Sequence, residues 1–151
     1  MKLAEALAER SECQTRIEEL KKRMVRSARV QEGDAPAEDV NELLAESERV
    51  FVRVLELISA INRTNARTQF DAARTISDAI AERDVVAKRR DFLAGVAEAA
   101  STRQDRYSKS EVRFVATVSV AKLQTEVDRL AKQYRELDTR LQELNWNTEL
   151  I

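Results

Sequence analysis

Three arginines lie beside the apolar positions of predicted helices and are the first candidates for chemistry. Arg10 borders the apolar face of the first helix, whereas Arg83 and Arg90, seven residues apart, share one face of the third. A desolvated guanidinium requires a carboxylate or another anion, because an unpaired buried charge is strongly destabilising. The pattern predicts an anion pocket or a register-setting ion pair between subunits. The alternative is that all three lie at the rim of a wide apolar stripe, with packed stems and hydrated heads.

A second candidate is a group of basic side chains interleaved with aromatic ones, which begins with Arg23, Arg26 and Arg29. Basic and aromatic residues together on a strand are one signature of nucleic-acid contact. Residues 31–50, however, carry seven acidic residues and one basic residue. They can neutralise this charge locally, as an internal network or at a subunit interface. The candidate contacts for an anion or a partner are Arg83, Arg90, Arg103, Arg106, Tyr107, Lys109 and Arg113.

The last turns of the second and fourth predicted helices are rich in asparagine. In an antiparallel bundle these helix ends lie together, so that their side chains can form a recess for a small polar ligand or for a partner's terminus. Asparagine is also favoured where a helix ends, which is the alternative explanation. The residues of this polar end cluster are Asn62, Arg63, Asn65, Asn145, Trp146 and Asn147.

The residue types present exclude several classes of catalysis. The chain has no histidine, so a histidine-based triad, a histidine-ligated metal and an imidazole acid–base step are all excluded. The single cysteine, Cys13, excludes an internal disulfide and is expected to be a small core residue. Gly-x-Ser-x-Gly, Walker A and Rossmann patterns are absent. We therefore predict no catalytic, cofactor-binding or metal-binding residues, and we favour a non-enzymatic protein.

The candidate residues are expected to be held by helices, which a heptad pattern of apolar residues predicts. It is clearest in the fourth predicted helix, where the spacing alternates between three and four after Ser119, a good N-cap. The residues of this seam are Val120, Leu123, Val127, Leu130, Tyr134, Leu137, Leu141 and Leu144.

Three further segments carry an apolar stripe typical of amphipathic helices. The third of them opens at Thr75 and Asp78, which form a variant capping box. The stripes are Leu3, Leu7, Ile17, Leu20, Met24 and Ala28; then Leu43, Leu44, Val50, Phe51, Val54, Leu57, Ile58 and Ile61; then Ile80, Val86, Leu93, Ala97 and Ala100.

These patterns predict an all-α fold in a single helical domain over residues 1–151. The architecture is an antiparallel four-helix bundle, or long helical hairpins that pair between subunits in the manner of a coiled coil. Alternating β-branched residues predict a short strand over about 112–118, which can pair with residues 28–32 as a small β-ribbon at one end. The helices are expected over about 3–28, 40–65, 76–103 and 120–144.

Several short runs together resemble one family of bacterial proteins. They are Arg29-Val30-Gln31-Glu32-Gly33-Asp34 with Pro36, Ile61-Asn62-Arg63-Thr64-Asn65, Arg106-Tyr107-Ser108, and Asn145-Trp146 with Thr148-Glu149-Leu150. Over nearly its whole length the chain resembles the septicolysin-like proteins, small helical proteins that are frequent in actinobacteria and of unknown function. The resemblance implies a helical fold and carries over no active-site residues. The name implies a membrane-damaging toxin, whereas the helices here carry charges through every turn, unlike segments that insert into a bilayer.

Charge and composition favour a cytoplasmic assembly protein. A net charge of −1 provides no overall field toward nucleic acid or anionic lipid. No apolar stretch approaches the roughly 18 residues of a membrane span, and the start of the chain lacks a signal-peptide core. We expect a homo-oligomer that acts through helix-face and strand-edge contacts and needs no cofactor. The alternative is a module that binds an anionic ligand or nucleic acid through the basic cluster.

Overall fold

Four helices make up most of the structure, a computed structural model that describes residues 1–101 and 112–151. The helices are α1 (Leu3–Ser27), α2 (Val40–Arg67), α3 (Ile76–Ser101) and α4 (Val120–Asn147). The all-α fold class with four helices is therefore confirmed. The expected end of the third helix, at about 103, lies outside the described residues.

Side-chain caps fix where α3 and α4 begin. At α3, the Asp78 carboxylate accepts a hydrogen bond from the Thr75 amide at 2.8 Å, and the Thr75 hydroxyl accepts one from the Asp78 amide at 3.2 Å. The predicted capping box is thus confirmed. At α4, the hydroxyl of Ser119 accepts from the amide of Lys122 at 3.3 Å. These bonds satisfy backbone donors that the first turn of a helix leaves unpaired.

The predicted β-ribbon is wrong. Neither residues 28–32 nor residues 112–118 form a strand. Within residues 1–101 and 112–151, β-type pairing is limited to isolated bridges, such as that between Lys2 and Glu149. Alternating β-branched residues favour extended backbone, but a strand also requires a neighbour that completes the ladder, and a two-stranded ribbon alone is marginal in water.

The connection after α1 forms a turn at residues where the predicted ribbon requires an extended strand. Gly33 has a φ of 91°, a conformation that residues with a Cβ rarely adopt. The amide of Asp34 donates to the carbonyl of Gln31 at 2.9 Å, which closes a tight turn. This turn takes the end of the 28–32 segment out of any extended pairing.

The described chain divides into two compact units. Unit 1 comprises Met1–Gln69 together with Gln142–Ile151, and unit 2 comprises Phe70–Leu141. Unit 1 therefore contains the α1–α2 hairpin, the last residues of α4 and the segment that follows them. Unit 2 contains α3 and the larger part of α4. The single domain over residues 1–151 stays a prediction.

In unit 1, α1 and α2 pack against each other through part of each predicted stripe. Leu3, Leu20, Leu57 and Ile61 are almost fully buried, and Cys13 is half-buried. Intrinsic helix propensity alone leaves helices marginal in water, so the burial of an apolar face supplies most of their stability.

In unit 2, α3 and α4 pack around Val86, Leu130 and Leu137, with Phe70 and Tyr134 against this core. The predicted seam of α4 is confirmed, because each of its residues is buried or half-buried. The heptad spacing therefore identifies the face through which α4 packs.

Replacing Leu20 with alanine is expected to destabilise the fold by about 2–5 kcal/mol, because truncation of a fully buried leucine leaves a cavity. Val25, on the same helix, is 68% exposed and provides the matched control. Val25→Ala is expected to change the free energy of unfolding by less than about 0.5 kcal/mol. Urea unfolding followed by circular dichroism measures both. Equal effects would contradict this assignment of the core.

Candidate functional site

Arg83 lies between α3 and α4, where its guanidinium joins two carboxylates. It donates to Asp138 on α4 at 2.9 Å and to Asp84 on its own helix at 3.0 Å. Burial, the largest influence, lowers the pKa of Arg83, but the two carboxylates outweigh it and the pKa is raised overall. Arg83 thus forms an ion pair that links the two helices of unit 2.

Arg90, one heptad further along α3, lies over the ring of Tyr134. The guanidinium carbon is 5.4 Å from the ring centroid, and Nε donates to the Asp91 carboxylate at 2.9 Å. A packed stem with a paired head is the arrangement expected at the rim of an apolar stripe. To bind an external anion, Arg83 or Arg90 has to share or release a carboxylate that it already holds.

Arg10, in unit 1, differs from the other two seam arginines. The residue is half-buried, and its Nε, shielded from solvent, has no hydrogen-bond partner within the part of the chain that the structure describes. The adjacent carboxylate of Glu9 is bound instead by Arg53, at 2.6 Å. Of the three seam arginines, Arg10 is therefore the one with a buried donor that lacks a partner among the described residues.

Of the predicted basic cluster, Arg103, Arg106, Tyr107 and Lys109 lie outside the described residues, whereas Arg23, Arg26, Arg29 and Arg113 lie within them. Arg113 is exposed, in the irregular segment before α4. At the end of α1, Arg23 donates to the Glu38 carboxylate at 3.0 Å, and this bond lowers the pKa of Glu38. The acidic stretch 31–50 therefore neutralises a basic residue here, as its composition suggests.

In unit 1 the end of α2 contacts the residues that follow α4. The amide of Ile151 donates to the Thr64 hydroxyl at 2.9 Å, and Arg63 donates to the Ile151 carbonyl oxygen at 3.3 Å. Thr64 is fully buried, and its hydroxyl donates in turn to the carbonyl of Ala60 at 2.9 Å. Thr64, which lies within the predicted cluster but not among its candidate contact residues, thus joins the end of α2 to the residues after α4.

The predicted members of the end cluster contribute less than Thr64. Asn147 donates to a carbonyl one turn earlier in its own helix, at 2.9 Å. Asn62 and Trp146 are exposed, and Asn145 is half-buried. Asn65 has a buried Oδ1 without a hydrogen-bond partner among the described residues. These positions fit the ends of helices better than the walls of a ligand recess.

A tie between the start of α1 and the residues after α4 also belongs to unit 1. The Leu3 amide donates to the Thr148 carbonyl at 2.9 Å, and Lys2 Nζ lies 2.6 Å from the Glu149 carboxylate. The hydrogen bond from Lys2 lowers the pKa of Glu149. Sequence reasoning missed this tie, because no local pattern marks a pairing of residues so far apart along the chain.

Two further ion pairs cross the α1–α2 hairpin. Arg16 donates to Glu46 at 2.8 Å, and Arg53 holds Glu9 with both Nε and Nη2. The hydrogen bond from Arg53 is the largest influence on the pKa of Glu9 and lowers it. The acid-rich start of α2 was the available signal for the first pair, because its carboxylates need basic partners on a neighbouring helix.

An open groove of about 390 Å³ lies beside the first turns of α2. Its carboxylates include Glu38, Glu42 and Glu46, of which the first and last are held by arginines of α1. Within residues 1–101 and 112–151 no group of three or more potential ligands is placed to hold a metal ion. The groove therefore belongs to the ion-pair network of the hairpin.

A second apolar face on α2 remains exposed. Phe51 is 50% exposed and Leu55 is 66% exposed. The expectation that Leu44 and Phe51 share one stripe with Leu43 is wrong, because each residue advances the helix by about 100° and Leu44 lies one step round from the buried Leu43. We call this surface the α2 outer face; its members are Leu44, Glu48, Phe51, Val52 and Leu55.

An equivalent surface lies on α3. Val85 is 53% exposed and Phe92 is 71% exposed, and both flank a shallow groove of about 450 Å³ that also involves Lys88 and Arg89. Val96 continues the same face one turn further on and is half-buried. We call this surface the α3 outer face; its members are Val85, Lys88, Arg89, Phe92 and Val96.

The described part of the chain thus presents two kinds of surface: arginine–carboxylate pairs along the hairpins, and the two outer faces. Among the described helices, none is both long enough and apolar enough to cross a membrane. Contiguous apolar side chains on an otherwise charged helix are typical of a surface that binds another protein.

Residues 10–150 match the model of a protein family described as a family of unknown function, DUF6847. The match extends over nearly the whole chain. The chain belongs to this family. The description of DUF6847 assigns no activity.

Among solved structures, the chain is similar to the crystal structure of a functionally unknown conserved protein from Corynebacterium diphtheriae. The two sequences are 45% identical, the match covers 100% of this chain and 99% of that chain, and the TM-score is 0.95. The comparison with curated proteins gives no match. Neither description mentions septicolysin, so that resemblance gains no support from DUF6847 or from the structural neighbour.

Acid is expected to weaken the α1–α2 hairpin, because carboxylates in its ion pairs have lowered pKa values. The hydrogen bond from Arg53 holds the pKa of Glu9 below its ordinary value of 4.5. The unfolded chain therefore takes up a proton at Glu9 before the folded chain does. This contribution to stability is complete above about pH 5 and is lost as the pH falls through the lower folded-state pKa.

Urea unfolding between about pH 3 and pH 7 measures this effect. Glu9→Gln removes the titrating group, so its unfolding midpoint is expected to fall less steeply with acid than that of the wild type. Glu12→Gln, at an exposed position on the same helix, is the matched control and is expected to keep the wild-type slope. Identical slopes for Glu9→Gln and the wild type would contradict the role of the Glu9–Arg53 pair.

Proposed function

We propose that this protein is a non-enzymatic, self-assembling helical protein that acts through contacts between helix faces of separate copies. The observation that carries the proposal is the exposure of large apolar side chains on the α2 and α3 outer faces, led by Phe51 and Phe92. Such a role needs no catalytic residues. Its requirements are apolar surface, rigid helices and charges that select the partner.

Spacing on the outer faces supports a helical partner. Leu44, Phe51 and Leu55 follow steps of seven and four, and Val85, Phe92 and Val96 follow the same steps. Apolar residues at these intervals are the seam positions of a coiled coil. Removing each large apolar side chain from water stabilises a complex by about 1.5–3 kcal/mol before the cost of association.

Residues 112–118 also support self-assembly, although they do not form the strand that strand addition requires. Phe114 and Val115 are exposed, and they line an apolar groove of about 360 Å³ together with Val96 and Ala99 of α3. Because this segment is irregular, contact here takes place through side-chain packing and not through a β-ladder.

The second candidate, a module for an anionic ligand or nucleic acid, has less support because Arg83 and Arg90 already hold carboxylates. Electrophoretic retardation of short RNA and DNA tests it. We expect no retardation at low salt. Binding that weakens steeply with added salt would favour the anion-binding function instead, because counterion release gives that dependence.

Sedimentation of the wild type over micromolar concentrations is expected to show a species heavier than the 17.2 kDa monomer, which dissociates on dilution. Phe51→Asp introduces a charge into the α2 outer face. This change is expected to raise the dissociation constant at least tenfold, because a carboxylate cannot be desolvated there without a partner.

Val25→Asp is the matched control, because Val25 is as exposed as the outer-face residues and lies on α1. It is expected to leave the dissociation constant unchanged, and circular dichroism checks that both variants stay helical. A particle of monomer mass at every concentration of the wild type would contradict the proposed function.

A further inference from the structure

The two outer faces share one pattern of residues. On α2 the order is Leu44, Glu48, Phe51 and Leu55, and on α3 it is Val85, Arg89, Phe92 and Val96. In both, the intervals are four, three and four residues. Each face therefore presents an aliphatic residue, a charged residue, a phenylalanine and a second aliphatic residue along one line.

The charged positions of the two faces have opposite sign. Glu48 is exposed on α2, and Arg89 is exposed on α3. The contact of Arg89 with Glu126 is long, at 3.8 Å, and Glu126 is bound more closely by Arg129, at 2.6 Å. Arg89 therefore keeps donors that can reach a carboxylate from another molecule.

From this complementarity we propose that the α2 outer face of one copy packs along the α3 outer face of a second copy. The two helices run parallel and in register, which places Glu48 against the second copy's Arg89 and Phe51 against its Phe92. This inference rests on the proposed self-assembly and names its partner surface.

Three other pairings of the same faces are less favourable. Two α2 faces in parallel register bring Glu48 against Glu48, and two α3 faces bring Arg89 against Arg89. Like charges at a contact reduce its stability and act against the wrong partner. An antiparallel α2–α3 pairing places Glu48 opposite Phe92, which separates the two charges by a turn of helix.

Charge reversal tests the pairing. Glu48→Arg and Arg89→Glu, made singly, are each expected to raise the dissociation constant at least tenfold in analytical ultracentrifugation, because each creates a like-charge contact. The double variant restores an opposite pair and is expected to return to within about threefold of the wild type. Glu12→Arg and Lys122→Glu, at exposed positions on α1 and α4, change the net charge equally and are the controls.

Cross-linking between differently tagged copies tests the same contact without relying on affinity. In a Cys13→Ser background, Phe51→Cys and Phe92→Cys are purified separately, mixed and oxidised with copper phenanthroline. The mixture is expected to form a disulfide-linked dimer that carries both tags, whereas each variant alone forms far less. Equal cross-linking within either variant alone would overturn the α2–α3 pairing.

The outcomes separate the two proposals. A wild type that is monomeric at every concentration removes self-assembly, and this pairing with it. A wild type that self-associates, with single charge reversals that have no effect or a double variant that stays as weak as the single variants, leaves self-assembly standing and overturns only the α2–α3 pairing.

Discussion

Each hairpin depends on one constraint: another helix must cover the apolar stripe of each of its helices. Helices of this length and charge are marginal in water until a partner covers their apolar side chains. Leu20 and Leu57 are buried in the first hairpin, and Val86 and Leu130 in the second. Arginine–carboxylate pairs such as Arg83–Asp138 border these seams, where partial burial lets them align the helices. Arg23, Arg83 and Arg90 therefore already pair with carboxylates of the same chain.

Features set by neighbouring residues could be predicted from the sequence, and features set by distant residues could not. The helices, the cap at Ser119 and the capping box at Thr75 follow from local spacing and hydrogen-bond chemistry. The β-ribbon failed because alternation describes one strand and says nothing of its partner. The bond between Thr64 and Ile151 joins residues that no pattern relates.

The outer faces show a subtler limit of pattern reading. On α2 the apolar residues span more of the helix than one neighbour can cover, and assigning Leu44 and Phe51 to the same stripe as Leu43 hid this width. Periodicity reveals that a helix is amphipathic, but the width of its apolar arc decides how many neighbours it needs. Helix α2 has two apolar faces, of which its neighbour covers one. The face that stays exposed is the one through which we propose that the protein assembles.

Unit 1 contains residues from both ends of the described chain, with all of unit 2 between them in sequence. A ribosome therefore releases the whole of Phe70–Leu141 before the residues that bind Thr64 and Lys2 are available. The α1–α2 hairpin can form early during synthesis. The amide of Leu3, however, lacks its hydrogen-bond partner until the carbonyl of Thr148 has left the ribosome. Completion of unit 1 therefore waits for residues that are made after the whole of unit 2.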